Sequence, residues 1–152
     1  MKTRKGHKTY PLTVALKFHN YYAQYSPGKE ILNVGTSLTI EFELDVEELR
    51  KAIYKAYERC ESMRARLAYD SKEDQWYQYI ADKEDREIEF MDFTGKSMEE
   101  AEAEMTAWTR IPFDGEDTPM NKVVIIKTPD GFEGMYLAGD HRFLDAQSLI
   151  CF

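Results

Sequence analysis

Of the three histidines in the chain, only His141 is followed four residues later by a carboxylate, Asp145, within GDHRFLDAQSL (139–149); His7 and His19 have Pro11 and Ala23 at that spacing. An imidazole titrates near neutrality, so histidine is the side chain best suited to take a proton from an attacking amine or hydroxyl at neutral pH. Asp145 is equally placed to cap a helix that begins in AQSLICF. Asp140, His141 and Asp145 lack the well-spaced further ligands that a metal site needs. The sequence has no glycine-rich phosphate loop, and its Pro129-Asp130-Gly131 reads only as a turn.

The elements that would position this stretch follow from hydrophobic periodicity. Val14, Phe18, Tyr21 and Tyr25, at offsets 0, 4, 7 and 11, form a helical stripe over 12–25, although the β-branched and aromatic content leaves a strand open. In LTIEFEL (38–44) apolar and polar residues alternate, the signature of a strand with one buried face. Asp45 with Glu48 forms a capping box, and Val46, Leu49, Ile53, Ala56, Tyr57 and Cys60 share one face of the helix it opens. MRARLAYD, WYQYI and REIEFMDF read as short strands. A second capping box, Ser97 with Glu100, starts an amphipathic helix over 97–109 with Met98, Ala101, Met105 and Trp108 at offsets 0, 3, 7 and 10 and a solvated row of Glu99, Glu100, Glu102 and Glu104. A hairpin follows, with an unbroken Val-Val-Ile-Ile run (123–126) that marks an inner strand, and His141 comes directly after it.

Composition limits the classes of function. A chain of 152 residues with 43% hydrophobic and 32% charged residues is long enough for one domain with a core. A net charge of −8 argues against a nucleic-acid partner, and Lys2, Arg4, Lys5 and Lys8 read as a basic flexible tail over 1–9. No apolar leader and no apolar run near the ~18 residues of a membrane span is present, and Cys60 and Cys151 form no Cys-x-x-Cys motif. These features predict a cytoplasmic protein with reduced thiols and no membrane partner.

Taken in order, four stretches resemble the N-terminal half of the condensation domains of nonribosomal peptide synthetases, in the chloramphenicol-acetyltransferase-like superfamily. YPLT (10–13) is similar to the opening before the first helix. RCESMRARL (59–67) resembles the Arg-His-x-x-Leu-Arg-Thr-x-Phe segment, with Arg59 and Arg64 in register. PFD (112–114) with Pro119 resembles the Pro-Phe-Asp element, and DHRFLDAQS (140–148) the His-His-x-x-x-Asp-Gly motif with a serine beyond it. Asp140 stands where the family has its first histidine and Ala146 where it has glycine.

The resemblance implies an α+β fold: a mixed sheet with helices packed on it, forming over 10–152 a chloramphenicol-acetyltransferase-like N-terminal lobe, half of a condensation domain. The apolar residues of the closing AQSLICF point the same way, toward the N-terminal part of something larger. It further implies acyl or aminoacyl transfer from a carrier-protein or CoA thioester to an amine or hydroxyl, with His141 as general base. Asp145 would pair with Arg64 to fix the turn that aims His141; Asp140, Ala146 and Ser148 would be motif or tunnel positions. Arg66, pointing the opposite way on its strand, reads as a surface residue. No tightly bound cofactor is implied; the substrate is a phosphopantetheine-linked or CoA thioester. Partners would be an acyl or peptidyl carrier protein or a second lobe, with a homo-oligomer through the open face as a further option. The chain alone would be a poor enzyme, because the tunnel lies between two lobes. The alternative is a noncatalytic, standalone half domain that binds a carrier domain or another protein.

Overall fold

The computed structural model describes residues 2–26, 30–84, 86–113, 115–145 and 147–148. Asp114, Ala146, Cys151 and most of the expected closing helix lie outside the described residues.

Two four-stranded sheets carry the fold. In chain order the elements are β1 (Thr3–Arg4), β2 (His7–Pro11), α1 (Val14–Tyr25), β3 (Asn33–Ile40), α2 (Val46–Arg59), a 3₁₀ turn (Glu61–Arg64), β4 (Ala65–Asp70), β5 (Gln75–Ile80), β6 (Glu89–Asp92), α3 (Met98–Thr109), β7 (Asn121–Lys127) and β8 (Glu133–Asp140). One sheet has the order β3-β8-β7-β6 and is mixed, because β6 runs parallel to β7 while the other pairs are antiparallel. Parallel neighbours need a crossover, and α3 supplies it. The other sheet, β1-β2-β5-β4, is antiparallel throughout.

The Val-Val-Ile-Ile run behaves as an inner strand should. Val123 and Ile125 pack with Ile53 and Tyr57 of α2, whereas Val124 and Ile126 pack with Ala101 and Met105 of α3, so successive side chains fill opposite cores. Each fully buried aliphatic side chain contributes about 1.5–3 kcal/mol. Both helices start where the caps predicted: Asp45 accepts from the amides of Glu47 and Glu48, and Ser97 with Glu100 forms a complete capping box. Among the described residues no helix is long and apolar enough to cross a membrane.

Two expectations need correction, and two further features were not foreseen. The basic segment 1–9 is not a tail: Lys5 (φ 50°) and Gly6 (φ 85°) turn a hairpin between β1 and β2, a two-residue loop with both central residues at positive φ. Its charges are consumed within the chain, Lys2 by Asp70 and Glu73 and Arg4 by Glu116 and Asp117. Beside the expected mixed sheet, β2 pairs with β5 and builds a second one. The strand expected at 38–44 runs over Asn33–Ile40, because β8 begins opposite Ile40 and 41–44 pair with no strand; Leu38 and Phe42 are exposed. The helical reading of 12–25 holds in α1, and the helix turns its apolar stripe outward. Val14, Phe18, Tyr21 and Tyr25 are exposed, while Leu16 and Asn20 are its buried residues.

Candidate active site at the end of strand β8

Strand β8 delivers Asp140 from the sheet into a turn whose first amides are tied back to it. Phe143 and Leu144 donate their N–H groups to the Asp140 carbonyl (2.9 and 3.0 Å), and Asp140 donates its own to Met120 (2.9 Å). The Asp140 side chain closes the same turn. Its Oδ1 accepts from the Arg142 amide and Nε, both at 2.8 Å, and its Oδ2 accepts from a terminal nitrogen of the same guanidinium at 2.7 Å. This two-pronged pair is the geometry in which a planar guanidinium and a carboxylate bind best. The guanidinium also donates to Asn20 Oδ1 of α1 and to the Phe113 carbonyl, each at 2.9 Å. Both charged side chains are buried, 3% and 7% exposed, so a pair two residues apart is sealed inside the lobe.

His141 sits on this platform and is exposed. Its backbone N–H donates to the Leu32 carbonyl at 2.7 Å, and its ring Nδ1 lies 2.9 Å from the Leu144 carbonyl. A carbonyl oxygen can only accept, so in neutral His141 the proton sits on Nδ1 and the lone pair on Nε2. The ring of His19, from α1, stacks on it at 5.8 Å between centroids and 15° between planes.

Asp145 and Arg64 are not partners in the structure. Asp145 is exposed and accepts from the amide and hydroxyl of Ser148, both at 2.7 Å; these bonds hold its carboxyl below the usual carboxylate range. These bonds to the residue three further on are contacts of the capping kind. Arg64 is buried and donates to the carbonyls of Tyr57 (2.8 Å), Glu58 (3.3 Å), Asp82 (3.1 Å) and Ala81. It closes the C-terminal end of α2, where free carbonyls and the helix dipole favour a cation. Arg66 is not a surface residue either. It pairs with Glu84 at 2.6 Å, both side chains buried, and Glu84 also holds Arg86 at 2.8 Å. Burial alone would raise the Glu84 carboxyl, but the guanidinium groups of Arg86 and Arg66 outweigh it and hold it low.

Asn20 and Arg142 are thus site residues that sequence reasoning passed over, while His19 was set aside for want of a carboxylate and Phe113 entered only within the PFD stretch.

Two sheets, a parallel β6–β7 pair bridged by a helix, and a histidine turn at the end of β8 define a chloramphenicol-acetyltransferase-like lobe. The sequence profile of the condensation domain family matches residues 7–151, and the chain belongs to that family. Among solved structures it is similar to the starter condensation domain of rhizomide synthetase RzmA, with 18% identity, a TM-score of 0.84, and 95% of this chain and 35% of that one covered. It is also similar to the first condensation domain of the calcium-dependent antibiotic synthetase in complex with a substrate analogue, with 19% identity, a TM-score of 0.82, and 93% and 35% covered. A RzmA starter condensation domain variant in complex with C8-CoA matches with 19% identity, a TM-score of 0.81, and 91% and 32% covered. The chain thus spans about a third of the length of these solved chains. A comparison with curated protein sequences gives no match.

Proposed function

We propose that this lobe belongs to a condensation-type acyltransferase that moves an acyl or aminoacyl group from a thioester to an amine or hydroxyl. The observation that carries the reading is the His141 Nδ1 contact with the Leu144 carbonyl at 2.9 Å, which leaves Nε2 as the basic nitrogen. Nε2 would accept the proton from the acceptor as its nitrogen or oxygen bonds to the thioester carbonyl carbon. The same proton would then go to the leaving sulfur as the carbon–sulfur bond breaks. Donors for the oxyanion would come in part from a second lobe, so the 152-residue chain alone should be a poor catalyst. The thioester would be carried on a CoA or on the phosphopantetheine arm of a carrier protein; the likeness to a RzmA variant in complex with C8-CoA favours an acyl donor of this kind.

The test is His141→Ala in the full-length protein. Acyl transfer should fall by about a hundredfold or more, and a variant with unchanged transfer would remove the reading. A second reading, a noncatalytic half domain that binds a carrier domain, another protein or a second copy, is favoured by the exposed Val14, Phe18, Tyr21 and Tyr25 on α1. Unchanged transfer in His141→Ala, together with retained carrier binding, would select it.

A further inference from the structure

Adjacent residues of α1 meet adjacent residues of the motif turn. Asn20 accepts from Arg142 at 2.9 Å, and His19 stacks on His141. Asn20 is buried and anchored through the guanidinium that Asp140 holds, so the helix is fixed at the point where His19 projects. His141 in turn has three restraints: its amide on the Leu32 carbonyl, its Nδ1 on the Leu144 carbonyl, and one ring face on His19. The first fixes only the backbone. A single hydrogen bond at Nδ1 leaves an exposed ring free to swing about its χ angles, because water competes for the same donor. The stacked ring is what opposes that swing, and offset parallel packing is a favoured arrangement for flat rings. The residue before His141 is Asp140, so the second imidazole that stands beside it in space is supplied by another element.

We propose that His19 is a positioning residue for His141: its ring holds the His141 imidazole on the Leu144 carbonyl, keeping Nδ1 protonated and Nε2 available. The catalytic use of that orientation rests on the acyl-transfer reading; the orientation itself does not.

The experiment is two-bond ¹H–¹⁵N correlation on the chain labelled with ¹⁵N-histidine, at a pH above the ordinary histidine range, for wild type, His19→Phe, His19→Gln and His19→Ala. His141→Ala assigns the signal. Wild type and His19→Phe should show His141 as the Nδ1–H tautomer, because phenylalanine keeps a flat ring. His19→Gln and His19→Ala should lose that preference and show averaged nitrogens, with the remaining amide spectrum unchanged. A His141 that stays in the Nδ1–H form in His19→Ala or His19→Gln overturns the proposal, as does its loss in His19→Phe to the same degree as in His19→Ala. In the full-length protein, His19→Ala should lower kcat about tenfold or more with KM little changed, since misplacing a reacting group costs rate and not binding. Unchanged transfer in His141→Ala would sink the catalytic reading alone; an unmoved tautomer would sink the positioning role alone.

Discussion

Asp140 and Arg142, two residues apart, form a buried ion pair in which every contact serves the turn that carries His141. Breaking a buried pair strands the surviving charge. Asp140→Ala is therefore expected to lower stability by about 3–5 kcal/mol, read by denaturant unfolding. Asp140→His, which moves the sequence toward the usual family residue, should also destabilise, because an imidazole cannot offer two oxygens to the guanidinium. A stable Asp140→His variant would show that Arg142 has another partner in reserve.

Arg64 and Asp145 are independent in this structure, and a double-mutant cycle separates that from a direct pair. Arg64→Ala removes four carbonyl contacts at a buried site and should cost about 2–4 kcal/mol. Asp145→Ala removes contacts of the capping kind, worth about 0.5–2 kcal/mol. Their effects should add to within about 0.5 kcal/mol, whereas a coupling well above that would restore the pair.

Gly139 precedes the motif, and a Cβ there would meet Leu144 Cδ1 at 2.2 Å. Leu144 also provides the carbonyl that holds His141 Nδ1. Gly139→Ala should push Leu144 aside and disturb the His141 ring environment, visible as shifted imidazole resonances in a protein that still folds. Gly134→Ala faces a harder obstacle, the Leu38 carbonyl oxygen at 1.9 Å, and should unpair β3 from β8 and lower the melting temperature more.

Two acidic groups make stability fall in acid. Glu84 is held low by Arg86 and Arg66 against the effect of its burial, and Asp117 by its hydrogen bond to Arg4. A carboxyl with a depressed folded-state pKa contributes fully above its unfolded value, about 4.3 for glutamate and 3.9 for aspartate. That contribution disappears as the pH drops through the lower folded value. The melting temperature should thus be flat from neutrality to about pH 5 with respect to these groups and drop below about pH 4. Glu84→Gln should shrink the drop and lower stability at neutral pH. A pH profile that Glu84→Gln leaves unchanged would remove Glu84 from the account.

Much of the mixed sheet and its helices was legible because each signal was local. Asp45 and Ser97 announce α2 and α3 through caps, and Val123 to Ile126 announce burial on both faces. Of the second sheet β4 and β5 were legible as strands, but β1 and β2 were not, since β2 finds β5 across more than sixty residues and its charged neighbours look like a solvated segment. The outward stripe of α1 defeats periodicity for a different reason: spacing reveals that a helix has an apolar face, not which way that face points. At the site, His141 and Asp145 stood out by type and spacing. Arg142 did not, because its partners Asn20 and Phe113 lie on other elements, and a residue inside a turn belongs to no period.

The His141 turn joins parts of the chain that are far apart in sequence: its amide reaches Leu32, Arg142 reaches Asn20, and the strand before it pairs with β3 a hundred residues back. Contacts of such long sequence separation must pay the entropy of closing a large loop before they are rewarded, and topologies rich in them fold slowly. As a ribosome releases the chain, the β4–β5 hairpin has its own partner early, but α2 must wait for β7, and the imidazole has no platform until residue 142 has emerged and found α1. The His141 turn therefore depends on contacts that close late, and parting β3 from β8 would strip it of the strand that carries it and of the Leu32 carbonyl beside that strand.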